Sequence, residues 1–437
     1  MKIQILGYII IPLAIFLYFK NIKYILYLTI FLAGFTSSSI INIGGSFSVQ
    51  PAYFTGTIFI LKSIFLINKK KLFIKPDNFL SLFITVSILS LIMPTLIISK
   101  KIFIMNQKSI ITNIFFTSSN ITQLFYILFC FVLYVCIKNY LYYNPLEIKK
   151  FIKILIYSTA FICLLGFYQE FAFINHLEFD KIFRSGIHGN TQGGIGFVRV
   201  YSVAQEPSML AYFLVPMLSL TISLNKDIIA SKTKVVFILL ILLTAILSTS
   251  TTFFVGLAAL LVKIFFDKLL LLIKNITSEK EKLGYIFPVI FILLIAACIV
   301  IININPIIKN VLLNGSYNKF LGNNESGKER SSIFLLHINA FLNYPFLGVG
   351  FGTARGKDLF STWLCNVGFI GLGLFLIYLY RIITKLKTIS RISYGISNYI
   401  FVLFICAFTS VPEPYNLFIW IMLGMAEILI QKEFNAK

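Results

Sequence analysis

Residues 326–352 read SGKERSSIFLLHINAFLNYPFLGVGFG and lie between strongly apolar parts of the chain. Ser326 and Glu329 have the spacing of a capping box, which predicts that a helix begins here with Arg330 in or near its first turn. Pro345 ends this helix, because proline has no N–H to donate and clashes with the preceding turn. The glycines that follow allow a tight return of the backbone toward the next apolar run. The stretch therefore predicts a polar helix and a sharp turn beside a membrane span.

One face of this predicted helix holds an arginine and a histidine. Arg330, Phe334, His337 and Phe341 recur at helical spacing and so share one side. A guanidinium group there is suited to an anionic ligand, since it binds carboxylate or phosphate oxygens two at a time. The pattern also fits an amphipathic helix that lies in the membrane interface with its arginine on lipid phosphate. The sequence leaves both interpretations open.

The rest of the chain is dominated by apolar runs. Of its 437 residues, 58% are hydrophobic and 12% are charged, whereas a soluble fold carries about a quarter charged residues. Apolar runs recur approximately at 3–19, 23–41, 52–67, 79–98, 121–142, 151–174, 203–224, 233–248, 250–272, 284–304, 362–382, 395–411 and 414–431. We therefore expect a single integral-membrane domain over residues 1–437, an all-α polytopic membrane protein with about 12–14 transmembrane helices. Around residues 248–252 the run is too long for one span and short for two, which predicts tilted or broken helices.

The net charge of +22 does not indicate a nucleic-acid partner, because the lysines lie in short loops between apolar runs. Positive loops that stay in the cytoplasm explain most of this excess, with anionic membrane lipid as the partner. By the same rule, the long polar loops 175–202 and 305–361 fall together on the outer face, with the C-terminus inside and the N-terminus outside. The six cysteines show no metal-binding or redox spacing and are interpreted as small core residues.

These two outer loops hold four of the six arginines, namely Arg184, Arg199, Arg330 and Arg355. Just after the shorter loop, Pro207 is suited to the first turn of the next helix, which places Glu206 and Arg199 near its outer end. A carboxylate at the membrane edge needs a partner or a task. A structural Glu206–Arg199 ion pair and a functional site are the two alternatives.

Together these motifs are similar to those of a known family. The residues are Arg199 followed by Glu206-Pro207-Ser208, then Arg330 leading to Pro345-Phe346-Leu347-Gly348-Val349-Gly350-Phe351-Gly352, then Gly368-Phe369-Ile370-Gly371-Leu372. This arrangement resembles the O-antigen polymerase and ligase superfamily, and the helix layout extends the likeness over most of the chain. Enzymes of that family act on the outer side of the bacterial inner membrane, on glycans linked to undecaprenyl diphosphate.

The resemblance implies that Arg199 and Arg330 bind the diphosphate of the donor, with Arg184 and Arg355 as additional substrate-binding residues. A leaving diphosphate gains charge as the glycosidic bond breaks, and fixed cations stabilise that charge. We therefore expect no metal and no other cofactor, and no acidic cluster in the sequence looks able to hold a metal ion.

The general base is less defined by the sequence. An attacking sugar hydroxyl benefits from a carboxylate or imidazole within hydrogen-bond reach. The candidate catalytic residues, in order, are Glu206, His337 and Asp358. Each also has a structural interpretation, since the sequence alone carries no pKa.

The resemblance leads us to expect a polymerase that transfers a growing lipid-linked chain en bloc onto a new lipid-linked repeat unit. A chain-length regulator protein is a candidate partner. Ligases of the family carry a histidine shortly before the Gly-x-x-Gly span, and residues 355–361 contain none, which favours polymerase over ligase. The ligase that moves polymer to lipid A core and a non-enzymatic flippase of lipid-linked glycan are the alternatives. Arginines clustered at one face, instead of charges deep within spans, argue against transport.

Overall fold

The computed structural model describes residues 2–43, 47–70, 73–97, 102–186, 198–275 and 325–436. Three parts of the sequence interpretation lie outside these ranges. They are the apolar run at 284–304, the first part of the long loop at 305–324, and residues 187–197 of the shorter loop.

The described part of the chain contains fifteen α-helices, which coincide with twelve of the thirteen predicted apolar runs or lie between them. The first eleven are α1 (Ile5–Lys20), α2 (Ile22–Leu32), α3 (Pro51–Lys70), α4 (Asn78–Leu89), α5 (Met93–Ile97), α6 (Ser118–Tyr143), α7 (Glu147–Ile174), α8 (Phe179–Phe183), α9 (Pro207–Ser223), α10 (Ser231–Leu247) and α11 (Thr251–Asn275). The last four are α12 (Glu325–Asn343), α13 (Leu359–Leu386), α14 (Arg391–Ser410) and α15 (Leu417–Ala436). A 3-10 helix at Ser90–Ile92 joins α4 to α5.

Within the described ranges, five helical segments are long and apolar enough to cross a membrane, namely Asn78–Ile97, Ser118–Tyr143, Glu147–Ile174, Leu359–Leu386 and Arg391–Ser410. Four shorter apolar helices accompany them at Ile5–Lys20, Ile22–Leu32, Pro51–Leu66 and Pro207–Ser223. The mostly helical character is therefore confirmed, and the apolar helices are those expected of a membrane protein. The number of spans stays a prediction.

Five short strands form two small sheets that the sequence interpretation did not include. The first sheet joins β1 (Lys2–Ile3), β2 (Ile41–Ile43) and β3 (Phe47–Val49) in antiparallel order. The second is the hairpin of β4 (Phe103–Met105) and β5 (Ile111–Asn113). Strands of two or three residues are too short to leave an alternating pattern in the sequence.

α2 is shorter than the predicted apolar run, which extended to residue 41. It ends at Leu32, and the buried chain that follows also bonds to the segments around α8 and α9. The Ser37 N–H donates to the carbonyl of Val203 at 2.9 Å, and the Ser38 hydroxyl donates to the carbonyl of Phe183 at 2.5 Å. Serine side chains compete with the helical ladder in this way, which ends the helix early.

α9 lies at the centre of the bundle. Fourteen of its 17 residues are buried, against α7, α10, α11 and α14. Small residues allow the close approach, since a Cβ on Gly256 of α11 would lie 2.6 Å from the Cys406 sulfur. Glu206, at the N-terminal end of α9, is therefore positioned by the most buried of the described helices.

A sharp break separates α10 from α11, as the Ser/Thr-rich sequence predicted. α10 ends at Leu247 and α11 begins at Thr251. Thr249, between them, has a positive φ of 45°. The break leaves the carbonyl groups of Ser248 and Thr249 free to accept hydrogen bonds from outside the helices.

The turn after α12 interlocks with α13. α12 ends at Asn343, before the proline, as predicted. Inside α13, Gly368 has a φ of +66°, which interrupts the helical ladder. The Val349 N–H then donates to the carbonyl of Cys365 at 2.7 Å, and the Phe369 N–H donates back to the carbonyl of Pro345 at 2.9 Å. The glycine-rich turn is thus held by the broken part of a long helix.

An ion pair is buried at the opposite end of the bundle. The Lys138 ammonium of α6 lies 2.5 Å from a carboxylate oxygen of Glu427 on α15, with side-chain exposures of 7% and 8%. Lys138 also donates to the carbonyl of Lys75 at 2.7 Å. Close by, Arg381 pairs with Asp77 at 3.2 Å. These contacts tie α6, α13, α15 and the start of α4 together.

Candidate functional site

The structure brings the described parts of the two predicted loops to the same end of the bundle, together with four further segments. Gly186 donates to the carbonyl of Ser37, Gln107 donates to the carbonyl of Gly352, and Asn120 donates to the hydroxyl of Thr353. These links join the segments that follow α2, α5, α7 and α12. The break between α10 and α11 and the turn between α14 and α15 complete the same face through Arg199 and Arg355.

Glu206 stands at the centre of this face. It is the N-cap of α9, with φ −144° and ψ 159°, and Pro207 occupies the first helical position as predicted. Its side chain is exposed and does not cap the helix. The Ser208 hydroxyl donates to it at 3.3 Å. Acidic side chains are favoured at helix N-termini because the helix dipole is positive there.

The charge of this carboxylate acts on three arginines. Burial lowers the pKa of Arg199 and of Arg330, and the negative charge of Glu206 opposes that shift in both. The pKa of Arg355 is raised, mainly by Glu413, with a smaller contribution from Glu206. One carboxylate therefore acts on three guanidinium groups that come from three different segments of the chain.

Arg199 is positioned by the break between α10 and α11. Its Nε donates to the carbonyl of Ser248 at 3.2 Å and to the hydroxyl of Thr249 at 2.8 Å. Its Nη2 donates to the carbonyl of Thr249 at 3.1 Å. The hydrogen bonds described for Arg199 thus go to the break, while the negative charge of Glu206 also acts on its guanidinium group.

Arg330 lies on α12 and is half-buried. Its neighbour Glu329 pairs instead with Lys357, at 3.2 Å. Among the residues that the structure describes, Arg330 makes no hydrogen bond and no ion pair, although Glu206 and Asp358 act on its charge. A guanidinium group in this state keeps its five N–H donors available for a ligand.

The inward face of α12 differs in part from the prediction. Arg330 and His337 lie on it, with Ile333 and Ala340 buried beside them. Phe334 does not, since its side chain is 37% exposed. The observed inward face is therefore shifted from the predicted one. The positions three and seven residues after Arg330 face the bundle more directly than the position four residues after it.

Arg184 and Arg355 have partners within the protein. The Arg184 side chain is buried, pairs with Asp180 at 3.3 Å and lies 4.1 Å from the ring centroid of Tyr201. It also donates to the carbonyl of Gln205 at 2.7 Å, which fixes the backbone just before α9. Arg355 forms an ion pair with Glu413, in the turn between α14 and α15.

Of the three candidate bases, Glu206 alone is exposed. Asp358 is the N-cap of α13, and its two oxygens accept from the Ser361 N–H and the Ser361 hydroxyl at 2.7 Å each. Burial raises the pKa of Asp358, and the bonds from Ser361 oppose that rise. His337 is fully buried, and burial lowers its pKa to about 4.

A cavity of about 480 Å³ opens beside the arginines. Amide side chains and aromatic rings dominate its lining, together with the Arg355–Glu413 pair: Gln50, Gln107, Gln123, Gln205, Asn366, Asn416, Tyr53, Tyr126, Tyr415 and Trp363. The second tryptophan, Trp420, donates from its indole nitrogen to the carbonyl of Pro414 at 2.8 Å, and Pro414 also lines the cavity. The cavity is of the size at which proteins bind small molecules.

The sequence interpretation missed this cavity and Glu413. The residues of the cavity come from separate segments between Thr36 and Asn416, so no single sequence spacing connects them. The sequence offers one signal, the polar run Glu413-Pro414-Tyr415-Asn416 between two apolar helices. Among the described residues, no three His, Cys, Asp or Glu side chains are grouped as metal ligands.

No protein-family model matches this chain, and no curated protein sequence matches it significantly. The residues of the site therefore carry the case for function.

Proposed function

We propose that this protein is a membrane-embedded polymerase of lipid-linked oligosaccharides, a glycosyltransferase whose donor is joined to a polyprenyl diphosphate. The observation that carries the proposal is that the charge of the exposed Glu206 acts on the guanidinium groups of Arg199, Arg330 and Arg355, which come from three segments of the chain. A diphosphate presents several charged oxygens, and guanidinium groups bind such oxygens in pairs. Arg330, with no protein partner among the described residues, is the leading anchor.

In the proposed reaction, the bond between the anomeric carbon of the donor and its diphosphate breaks, and an acceptor hydroxyl forms the new glycosidic bond. The bonding electrons leave with the diphosphate, whose added charge is stabilised by Arg199 and Arg330. Because the hydroxyl attacks opposite the leaving group, the anomeric configuration inverts. The arginines supply charge stabilisation without a metal ion.

Glu206 is the proposed general base, and it takes the proton of the attacking hydroxyl. Its exposure and its place among the arginines support this role. Asp358 is engaged in capping α13, and His337 is enclosed, so neither is as well placed to meet a hydroxyl. Both are assigned positioning roles in the proposal.

We place the protein in the bacterial inner membrane, with about 12–14 spans and the arginine face on the outer side. The lysine-rich loops at the other end of the bundle support this orientation. The donor and acceptor would be undecaprenyl-diphosphate-linked repeat units of an O-antigen or related surface polysaccharide. A chain-length regulator is a candidate protein partner.

The first prediction concerns the two anchoring arginines. In a deletion strain complemented with Arg199→Ala or Arg330→Ala, surface polymer falls by at least about 100-fold, because the charge of the leaving diphosphate is no longer stabilised. Arg391→Ala is the matched control, since Arg391 bonds to the carbonyl of Ser223 at the other end of α9. Gel ladders of the surface polysaccharide, with the protein quantified in the membrane, measure the effect.

The banding pattern also separates the alternatives. Lipid A core that carries a single repeat unit supports polymerase. Bare core with polymer accumulating on the lipid carrier indicates the ligase instead, and bare core with single units trapped on the cytoplasmic leaflet indicates a flippase. Normal polymer of normal length in both arginine variants would contradict the proposal.

A further inference from the structure

The cavity beside the arginines presents polar groups that the protein itself leaves unused. Within the described part of the chain, the side chains of Gln123, Gln205 and Tyr126 make no hydrogen bond, although all three line the cavity. Gln50, by contrast, is engaged with the carbonyl of Thr36 at 2.8 Å. An amide offers two donors and one acceptor, so the free groups can both give and receive hydrogen bonds.

One wall of the cavity is aromatic and fixed in place. The Tyr126 ring lies 5.7 Å from the Tyr53 ring and 5.7 Å from the Tyr415 ring, measured between centroids. The Tyr53 hydroxyl donates to the backbone carbonyl of Tyr415 at 2.7 Å, which ties α3 to the turn before α15. The wall therefore presents flat apolar faces beside the unused amides.

The cavity lining is close to neutral. Among the described residues that line it, Arg355 and Glu413 are the charged ones, and these two pair with each other. This differs from the neighbouring cluster, where Arg330 has no ion-pair partner among the described residues. A cavity that is neutral, rich in amides and walled by tyrosines matches a ligand with many hydroxyl groups and apolar ring faces, but no charge.

From these observations we infer that the cavity is a binding site for uncharged sugar residues of the glycan. The inference rests on the proposed function for the identity of that glycan. Gln205 directly precedes Glu206, and Arg355 belongs to both the cavity and the arginine cluster. A substrate whose diphosphate lies on Arg199 and Arg330 thus has its first sugars at the entrance of the cavity. Diphosphate and sugar are bound by separate sets of residues.

The test is calorimetric binding to the purified full-length protein in lipid nanodiscs, with two probes. One probe is the free repeat-unit oligosaccharide, released from the polysaccharide of the source organism and freed of phosphate. The other is farnesyl diphosphate, which has no sugar. Gln123→Ala and Tyr126→Ala weaken binding of the oligosaccharide by about tenfold, as expected for a lost hydrogen bond and a lost ring face. Both variants bind farnesyl diphosphate as the wild type does.

Two controls accompany these variants. Arg330→Ala shows the opposite pattern, with farnesyl diphosphate weakened and the oligosaccharide unchanged. Phe125→Ala changes neither, because Phe125 lies between Gln123 and Tyr126 on α6 but points outward with 68% exposure. Tyr126→Phe keeps the ring and removes the hydroxyl alone, so it guards against misfolding as the cause of a loss.

The inference is overturned if the wild type does not bind the oligosaccharide, or if the cavity variants bind it as well as the wild type does. Failure of the proposed function gives a different result. In that case the deletion strain makes normal polymer, whatever the calorimeter records for the cavity variants.

Discussion

Arg330 differs from the other five arginines in its surroundings. Within the described part of the chain, each of the others has a protein partner: Arg184 with Asp180, Arg199 with Thr249, Arg355 with Glu413, Arg381 with Asp77, and Arg391 with the carbonyl of Ser223. Half-burial removes water from a guanidinium group, and this costs free energy unless a partner replaces it. An anionic ligand supplies that partner at Arg330, which makes it the most informative residue to change.

His337 gives a prediction about acid stability. Its pKa in the folded protein is about 4, below the ordinary 6.5, because the ring is buried. Between these pH values the unfolded chain binds the proton and the folded chain does not, so stability falls as the pH falls. The wild type therefore loses about 2–3 kcal/mol of unfolding free energy to this group between pH 7 and pH 4.

His337→Gln removes the titrating group and with it that part of the acid loss. Thermal unfolding of both proteins at pH 7 and pH 4.5 measures the difference. An equal drop in melting temperature for the variant and the wild type would show that His337 does not titrate in this range.

At the level of single residues, the sequence could identify Arg199, Arg330 and Glu206, because arginine is rare in the chain and a Glu-Pro pair marks a helix start. It could not show that Asp358 caps a helix, since a cap depends on the direction of one side chain. Nor could it find Gln123 or Tyr126. Single glutamines and tyrosines have no spacing to connect them across a hundred residues or more.

Among the helices, α13 and the turn after α12 depend on each other through two glycines. Gly348 and Gly368 both have φ of +66°, a conformation that costs other residues free energy. A Cβ on Gly348 would lie 2.2 Å from the carbonyl oxygen of Cys365, and one on Gly368 would lie 2.2 Å from that of Phe346. Neither contact can be relieved by rotating a side chain, because both partners are backbone atoms.

We therefore expect Gly348→Ala and Gly368→Ala to lower the melting temperature and the amount of folded protein in the membrane. Gly373→Ala is the control within the same helix, since its Cβ would meet nothing within 4 Å. That change leaves the free energy of unfolding unchanged or raises it by about 0.5–1 kcal/mol, because alanine favours a helix more than glycine does. Fluorescence-detected size exclusion and thermal unfolding provide the measurement. Equal behaviour of all three variants would contradict the interlock.

The elements were predictable where length made the pattern clear. Long apolar runs located the described helices other than α8 and α12, and Ser/Thr residues located the break between α10 and α11. The early end of α2 was not predictable, because Ser37 and Ser38 leave the helix only to reach the segments around α8 and α9, about 150 residues away. The pairing of the glycine-rich turn with α13 is likewise a tertiary contact.

In the molecule as a whole, the two ends of the helical bundle carry different groups of residues. One end holds four of the six arginines, Glu206 and the cavity, and the other holds the Lys138–Glu427 pair and lysine-bearing loops. The positive-inside rule predicts that the lysine-bearing end faces the cytoplasm. Charge in the loops could predict this orientation from the sequence, whereas the cavity depends on the three-dimensional arrangement of seven separate segments.

Cysteine labelling in intact cells tests this orientation. Lys328 on α12 and Lys226 in the turn after α9 both have exposed side chains. We expect Lys328→Cys to react with a membrane-impermeant maleimide in intact cells. Lys226→Cys reacts only after the cells are permeabilised. The background is low, because the five described cysteines are all buried, and Cys298 is replaced by serine in both variants. The reverse labelling pattern would place the arginine face in the cytoplasm and rule out the proposed reaction.

The two tryptophans have a practical consequence for this protein. Trp363 lines the cavity, and the indole of Trp420 is bonded to Pro414, which lines it too. The chain has no third tryptophan. All of its tryptophan fluorescence thus originates beside the cavity. The intrinsic emission of unlabelled protein therefore reports on the binding of a ligand there.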